Sequence, residues 1–106
     1  MCLALIAFAA HPRYSLVLAA NRDEFHSRAA APAAWWDAGF LAGRDLKEGG
    51  TWLGVDRRGR FAFLTNVREP LRRDVPAPTR GTLAPQILVD ARTPAESLAS
   101  PLSFKR

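Results

Sequence analysis

The chain has 106 residues, the size of one small domain, and its 48% hydrophobic and 24% charged residues are ordinary for a globular protein, which excludes a wholly disordered chain. One cysteine excludes an internal disulfide framework and a cysteine-based zinc cluster, and two isolated histidines argue against a histidine-rich metal site. We therefore expect no metal and no cofactor.

The net charge of +5 comes from 15 basic and 10 acidic residues, and such an excess can favour anionic partners. The arginines are spread from Arg13 to Arg106 among acidic residues, which indicates a coding bias towards Arg and Ala rather than a nucleic-acid stripe. Only residues 68–80 are locally dense in arginine, and they lack the interleaved aromatic rings of a single-strand binder. We expect no nucleic-acid partner.

The first ten residues are apolar, but no Lys or Arg precedes Arg13, so they do not resemble a signal peptide. The run is also shorter than the roughly 20 residues that span a bilayer. We expect a cytoplasmic protein without a membrane span, and the free thiol of Cys2 fits a reducing compartment.

Two apolar runs, residues 3–8 and 15–20, flank a turn-like segment and predict a β-hairpin, although the alanine content leaves a helix open for the first run. Residues 29–34, with Pro32, predict an irregular loop, and the adjacent Trp35 and Trp36 are expected to pack rather than to stack on a ligand. Residues 40–42 predict a short strand. Residues 51–66 predict a second hairpin with Gly59 in its turn.

Helical signals follow the strands. Thr79 is a candidate N-cap for a helix that continues to about Val89, and Thr93 with Glu96 forms a capping box around Pro94. This order predicts a single α+β domain over residues 1–106, an antiparallel β-sheet with helices on one face. One sheet face then lacks a cover, which predicts self-association or a larger assembly.

Cys2 is the most informative residue for chemistry. Removal of Met1 would leave a terminal cysteine whose α-amine, with a reference pKa of about 7.7–8.0, can act as general base for its own thiol. Because the two open ends of a hairpin are neighbours, Arg22 and Asp23 at the end of the second strand are expected beside Cys2. Arg22 would favour the thiolate and Asp23 would orient the α-ammonium. The alternative for Cys2 is a small apolar side chain at the start of a strand. The alternative for residues 21–24 is a charged turn exposed to solvent.

Asn66 ends another predicted strand, and its side-chain amide can stabilise an oxyanion; an ordinary turn residue is the alternative. The glycine-rich segment 49–54 does not match a phosphate loop, because no Gly-Lys-Ser/Thr follows it.

Six short motifs, in order, resemble the NRDE family, which is also called the transport and Golgi organisation protein 2 family. They are Met1-Cys2, Asn21-Arg22-Asp23-Glu24, Gly43-Arg44-Asp45, GGTWLG at 49–54, Leu64-Thr65-Asn66-Val67-Arg68 and Thr79-Arg80-Gly81. The sequence departs from the family pattern at Ala29, usually Pro, and at Thr79, usually Ser. Members of the family are at least twice as long, and we recognise no family motif in residues 94–106. We therefore expect a fragment, a frameshifted or truncated gene product, or a half-sandwich that pairs with another chain.

The resemblance implies the N-terminal part of an N-terminal-nucleophile-hydrolase-like αββα sandwich. By analogy with penicillin V acylases and bile salt hydrolases of that superfamily, Cys2 would be the nucleophile, Arg22 and Asp23 its supports, and Asn66 an oxyanion group. The motifs also imply substrate contacts, which we expect from Asn21, Glu24, Trp52 and Arg68.

Three functions remain open at this point. The first is an amidohydrolase that cleaves C–N amide bonds. The second, implied by the family's association with haem mobilisation and acyl-CoA metabolism, is a carrier or chaperone of haem or an acyl-CoA-like ligand. The third is an inactive truncated remnant. A Golgi role need not transfer to a sequence of bacterial composition.

Overall fold

The structure is a computed structural model that describes residues 2–66 and 79–99. Within these residues, two antiparallel sheets and two short helices confirm the α+β class, although the strands form two sheets rather than one. The strands are β1 (Ala4–Phe8), β2 (Leu16–Ala20), β3 (Ala30–Trp35), β4 (Phe40–Asp45), β5 (Leu53–Asp56) and β6 (Phe61–Phe63); a 3₁₀ turn (Arg80–Thr82), α1 (Leu83–Val89) and α2 (Pro94–Ala99) follow.

The first two strands form the predicted hairpin, which excludes the helical alternative for the first run. β1 pairs with β2 in a register that runs from Ala4 opposite Ala20 to Phe8 opposite Leu16. Beyond the register, the open end continues with Asn21 N–H donating to Leu3 C=O at 3.1 Å. This end of the hairpin places Cys2 and the polar segment after β2 side by side.

The prediction of a loop for residues 29–34 is wrong, because residues 30–34 belong to the edge strand β3. Its pairing with β4 is interrupted between Ala31 and Ala34, and Pro32 lies in this irregularity. A proline has no N–H to donate, so it is tolerated on an edge strand at a break in the ladder. Pro32 therefore argues against a central strand but not against an edge strand.

The remaining strands form a meander in the order β3-β4-β5-β6. The strand predicted at residues 40–42 is present and extends to Asp45, and the predicted second hairpin is confirmed as β5 and β6. Its turn is held by Asp56, whose Oδ1 accepts the backbone N–H groups of Arg58 and Arg60, both at 2.9 Å.

One face of the four-stranded sheet packs against α1. Its buried side chains come from alternate positions of β4, from β6 and from one face of α1, and they are Phe40, Ala42, Ala62, Ala84 and Leu88. Trp36 packs against this core as predicted, with its ring 4.9 Å from that of Phe40. Trp35 instead is 49% exposed, with the Arg57 guanidinium 4.0 Å from its ring.

The opposite face of the sheet is less well covered. It borders a cavity of about 680 Å³ whose walls include Leu16 and Leu18 of β2 and Leu41, Val55 and Phe61 of the sheet. The hairpin also leaves several large apolar side chains exposed, namely Leu3, Leu5, Ile6, Phe8, Tyr14 and Val17. Within the described residues, the sheet therefore has a packed helix on one face and an open apolar groove on the other.

Both predicted helices are present, but Thr79 caps a 3₁₀ turn rather than α1 itself, whose N-cap Thr82 makes no side-chain capping hydrogen bond among the described residues. Thr79 accepts the N–H of Gly81 at 3.3 Å and precedes the 3₁₀ turn that leads into α1. At α2, Thr93 N–H donates to Glu96 Oε2 at 2.8 Å and Glu96 N–H donates to Thr93 Oγ1 at 3.3 Å, the reciprocal pattern of a capping box. Neither helix in this part of the chain is long and apolar enough to cross a membrane.

Gly50 and Gly81 hold the 3₁₀ turn against the sheet by a close backbone approach. A Cβ at Gly50 would lie 2.6 Å from the Gly81 carbonyl carbon and oxygen. We expect Gly50→Ala to lower the free energy of unfolding by about 2–3 kcal/mol, because the backbone itself must move. Urea unfolding measures this loss.

The neighbouring Gly49 provides the control. A Cβ there meets open space, but its φ of 75° is strained for alanine, so Gly49→Ala should cost only about 1 kcal/mol. Equal losses in the two variants would contradict a steric role for Gly50.

Candidate functional site

A polar, open cavity of about 90 Å³ lies at the open end of the β1–β2 hairpin. Its walls come from the ends of β2 and β4, the segment before β5, the chain after β6 and the 3₁₀ turn. Seven of the eight residues expected in the site line this one cavity, and they are Cys2, Asn21, Arg22, Asp23, Glu24, Trp52 and Asn66. The eighth, Arg68, lies outside the described residues.

Cys2 is a free, half-buried cysteine that lies two residues before the start of β1. The next residue, Leu3, is held on both its backbone groups by Asn21. Leu3 N–H donates to Asn21 Oδ1 at 2.7 Å, and Asn21 N–H donates to Leu3 C=O at 3.1 Å. The Asn21 side chain, expected to contact substrate, therefore also fixes the position of the chain that carries Cys2.

Removing the Asn21 side chain, which accepts the Leu3 N–H, is expected to loosen the start of β1. Asn21→Ala should increase the hydrogen-exchange rate of the Leu3 amide about fivefold or more, because a net hydrogen bond contributes about 1 kcal/mol. Asn21→Asp keeps an Oδ acceptor and should retain most of the protection. An unchanged exchange rate of the Leu3 amide in Asn21→Ala would contradict this role of the Asn21 side chain.

Arg22 is held at the cavity wall by three contacts. Its guanidinium carbon lies 4.9 Å from the centre of the Trp52 ring. Nη1 donates to the Arg28 carbonyl at 3.2 Å, and Nη2 lies 3.7 Å from Asp45 Oδ1. A long side chain with a stacked ring, a carbonyl and a carboxylate around it loses most of its rotamer freedom, so its charge stays beside the cavity.

Asp45 is the centre of the ion-pair network behind Arg22, and it is only 7% exposed. Arg28 Nη2 donates to its Oδ2 at 2.6 Å, and the Lys47 N–H donates to Oδ1 at 3.2 Å. The hydrogen bond from Arg28 holds the pKa of Asp45 below its usual range, although burial acts in the opposite direction. The same bond raises the pKa of Arg28.

The sequence interpretation missed the roles of Arg28 and Asp45. They are 17 residues apart, and no local pattern links them. One signal was available, because Asp45 ends β4 as a polar residue just as Asn21 follows β2 directly. Asp45 thus carries the same sequence signal as Asn21 and Asn66, a polar residue at the end of a strand.

The other expected site residues differ in their surroundings. Glu24 Oε2 lies 3.9 Å from Arg28 Nη1, and Glu24 Oε1 accepts the Phe25 N–H at 3.0 Å. The Glu24 carboxylate therefore belongs to the ion-pair network around Asp45 as well as to the cavity wall. Asp23 is half-buried and Asn66 is exposed at the cavity. The wall thus places a thiol, an amide, carboxylates and a guanidinium around one small polar space.

The 3₁₀ turn closes the cavity opposite the hairpin. Thr51 N–H donates to the Gly81 carbonyl at 2.9 Å, and the Thr51 side chain is buried, with Oγ1 donating to Leu53 C=O at 3.1 Å. These bonds fix the segment that contributes Thr79, Arg80 and Gly81 to the wall.

Comparison with known proteins identifies the relatives of the chain. The family model described as Transport and Golgi organisation 2 matches residues 1–103. The chain belongs to this family. The resemblance inferred from its six motifs is thereby confirmed.

Family members from animals cover most of the chain. It is 44% identical over 97 residues to the Transport and Golgi organization protein 2 homolog of Bos taurus and 43% identical to that of Homo sapiens, an overlap of 83% of this chain and 35% of each relative. It is 38% identical over 86 residues to Transport and Golgi organization protein 2 of Drosophila melanogaster. The chain therefore spans about a third of the length of these family members. No solved structure matches it.

Proposed function

We propose that this member of the family is a cysteine N-terminal-nucleophile amidohydrolase that cleaves C–N amide bonds. One observation carries the proposal: Cys2, Arg22, Asp23 and Asn66 line the same polar cavity although 64 positions separate the first from the last. A nucleophile, a cation, a carboxylate and an amide donor around one space are the groups that acyl transfer requires.

The proposed reaction begins after Met1 is removed. The Cys2 α-amine takes the thiol proton, and Sγ attacks the substrate carbonyl carbon. The C–N bond breaks, the leaving amine takes the proton from the α-ammonium, and a thioester remains on Cys2. Water then attacks the thioester, releasing the carboxylic acid and restoring the thiol.

The remaining groups act on charge during these steps. Asp23 orients the α-ammonium, and Arg22, held by Trp52 and Asp45, supplies a positive charge in the cavity that contains the nucleophile. The Asn66 side-chain amide donates to the oxyanion of the tetrahedral intermediate. Asn21 fixes the backbone next to the nucleophile.

The fold proposal accompanies the mechanism. We take the helix α1, the four-stranded sheet and the β1–β2 hairpin as the N-terminal part of an αββα sandwich. The packed α1 face and the hairpin opposite the other sheet face support this layer order. The cytoplasmic location expected from the sequence is part of the same proposal.

The direct test is an assay of the purified chain on a panel of amides, with intact-mass measurement of the same sample. We expect a mass lower by one methionine residue and hydrolysis of at least one amide, detected as a free amine. Full activity in a chain that retains Met1 would contradict the terminal-cysteine mechanism, and no hydrolysis across the panel would contradict the proposed activity.

The apolar cavity of about 680 Å³ supports a second candidate, a carrier of haem or an acyl-CoA-like ligand. Trp52 lines both this cavity and the polar one, so an apolar ligand could reach the polar site with its head group. Saturable binding of haem or acyl-CoA that survives Cys2→Ala, without hydrolysis, would favour the carrier. No ligand binding and no hydrolysis would favour the inactive remnant.

The exposed apolar side chains of the hairpin are the reason that we also propose self-association. Light scattering after size-exclusion chromatography should give a mass above that of one chain. A monomer at every concentration would contradict this part of the proposal.

A further inference from the structure

Among residues 2–66 and 79–99, equal numbers of guanidinium and carboxylate groups line the polar cavity. Three guanidinium groups, of Arg22, Arg28 and Arg80, and three carboxylates, of Asp23, Glu24 and Asp45, line it. Arg28 binds Asp45 and lies near Glu24, and Arg22 lies between Asp45 and the Trp52 ring. Two of the three guanidinium groups are therefore committed to the protein itself.

Arg80 differs from the other two. It is exposed at the cavity, and within residues 2–66 and 79–99 its guanidinium has no hydrogen bond, ion pair or ring contact. Its backbone, in contrast, is fixed, because Gly81 C=O accepts from Thr51 and Gly81 N–H donates to Thr79. A positioned backbone with an uncommitted charged side chain is suited to a ligand.

We infer that Arg80 determines specificity by binding a carboxylate of the substrate, so that the site takes amides bearing a negative charge, such as N-acyl amino acids. This inference rests on the proposed amidohydrolase function, but the anion binding that it predicts does not require turnover. A guanidinium offers a carboxylate two parallel N–H donors, which gives orientation as well as attraction.

The charge balance of the chain agrees with an anionic ligand. The formal net charge is +5, which raises the local concentration of anions around the molecule. Inside the cavity, Asp45 and Glu24 have Arg28 as a cationic neighbour, so these carboxylates repel an incoming anion less than isolated ones would.

The test measures binding in the Cys2→Ala background, so that no probe is consumed. The probes are N-acetylalanine, which has a carboxylate, and N-acetylalaninamide, which is the same size and neutral. We expect N-acetylalanine to bind more tightly. Arg80→Gln should lower the affinity for N-acetylalanine about fivefold, the effect expected for an exposed charge-assisted pair. The affinity for N-acetylalaninamide should not change.

Arg13→Gln is the matched control. Arg13 lies at the hairpin turn, where its guanidinium carbon is 5.8 Å from the Tyr14 ring, and it does not line the cavity. This variant removes the same unit of net charge and should leave both affinities unchanged. An equal loss for N-acetylalanine in the Arg13 and Arg80 variants would overturn the inference, because the effect would then be one of net charge.

The outcomes separate this inference from the proposed function. Selective binding that depends on Arg80, with no hydrolysis of any amide by the unmodified chain, supports the anion site and contradicts the hydrolase. Hydrolysis without preference for the charged probe, or with a preference that survives Arg80→Gln, supports the hydrolase and overturns the anion site. Failure of N-acetylalanine to bind at any concentration also overturns it.

Discussion

Cys2→Ala is expected to abolish amide hydrolysis while the chain remains folded. The variant removes the only atom that can form the proposed thioester, so the rate should fall by at least about a thousandfold. Cys2 is half-buried and outside the packed core, so the free energy of unfolding should change by less than about 1 kcal/mol. Amine release and urea unfolding measure the two effects.

Cys2→Ser provides the matched control because it replaces the thiol with a hydroxyl of similar size. The hydroxyl is a much weaker acid than a thiol, so this variant should bind substrate normally and turn it over slowly. Hydrolysis at the wild-type rate in Cys2→Ala would show that another group performs the chemistry. Loss of activity together with unfolding in both variants would show that Cys2 is a packing residue.

Asp45→Asn is expected to give a large loss of stability, about 2 kcal/mol of the free energy of unfolding. The substitution leaves Arg28 without the carboxylate that accepts its bonds, and removing one partner of a buried pair costs up to about 3–5 kcal/mol. The Arg28 side chain is 30% exposed, so water replaces part of the lost interaction and the expected cost is smaller. Amide hydrolysis should also fall, since Arg22 loses one of its three contacts.

The stability loss should depend on pH with a definite sign. Folding lowers the pKa of Asp45 because of the hydrogen bond from Arg28. Its contribution is therefore complete above the unfolded-state value of about 3.9 and is lost as pH falls through the lower folded-state value. The stability difference between wild type and Asp45→Asn should be constant near neutral pH and shrink below about pH 4.

Asp37→Asn is the control for this series, because Asp37 is exposed in the turn between β3 and β4. It should change stability by less than about 0.5 kcal/mol. A loss in Asp45→Asn that matches the Asp37→Asn value would contradict a structural role for the network. A loss that persists unchanged in acid would contradict the charge pairing between Asp45 and Arg28.

Local patterns predicted most of the secondary structure. The two hairpins follow from short apolar runs between turn residues, and the Thr93–Glu96 capping box from side chains three positions apart. The sequence does not predict β3 because local propensity favours a loop at Pro32, whereas pairing with β4 on both sides of Pro32, at residues 30–31 and 34–35, stabilises a strand. The separation of the strands into two sheets depends on long-range packing, which no local pattern specifies.

Proximity in the site was predictable where hairpin geometry determines it. The neighbours of Cys2, from Asn21 to Glu24, follow from the antiparallel pairing of β1 and β2. The Arg28–Asp45 pair was not predictable, because it depends on how β4 lies beside the chain that follows β2. Arg80 enters the wall only because Gly50 and Gly81 allow two backbones to approach closely.

Identification of the residue that becomes acylated tests the central claim most directly. The chain would be mixed with an amide substrate, quenched in acid after a short time, and analysed by peptide mapping with mass spectrometry. We predict a thioester on Cys2 in the peptide that lacks Met1, absent when Arg22 is replaced by methionine or the chain is denatured first. An acyl group on another residue, or on a chain that still begins with Met1, would contradict the account.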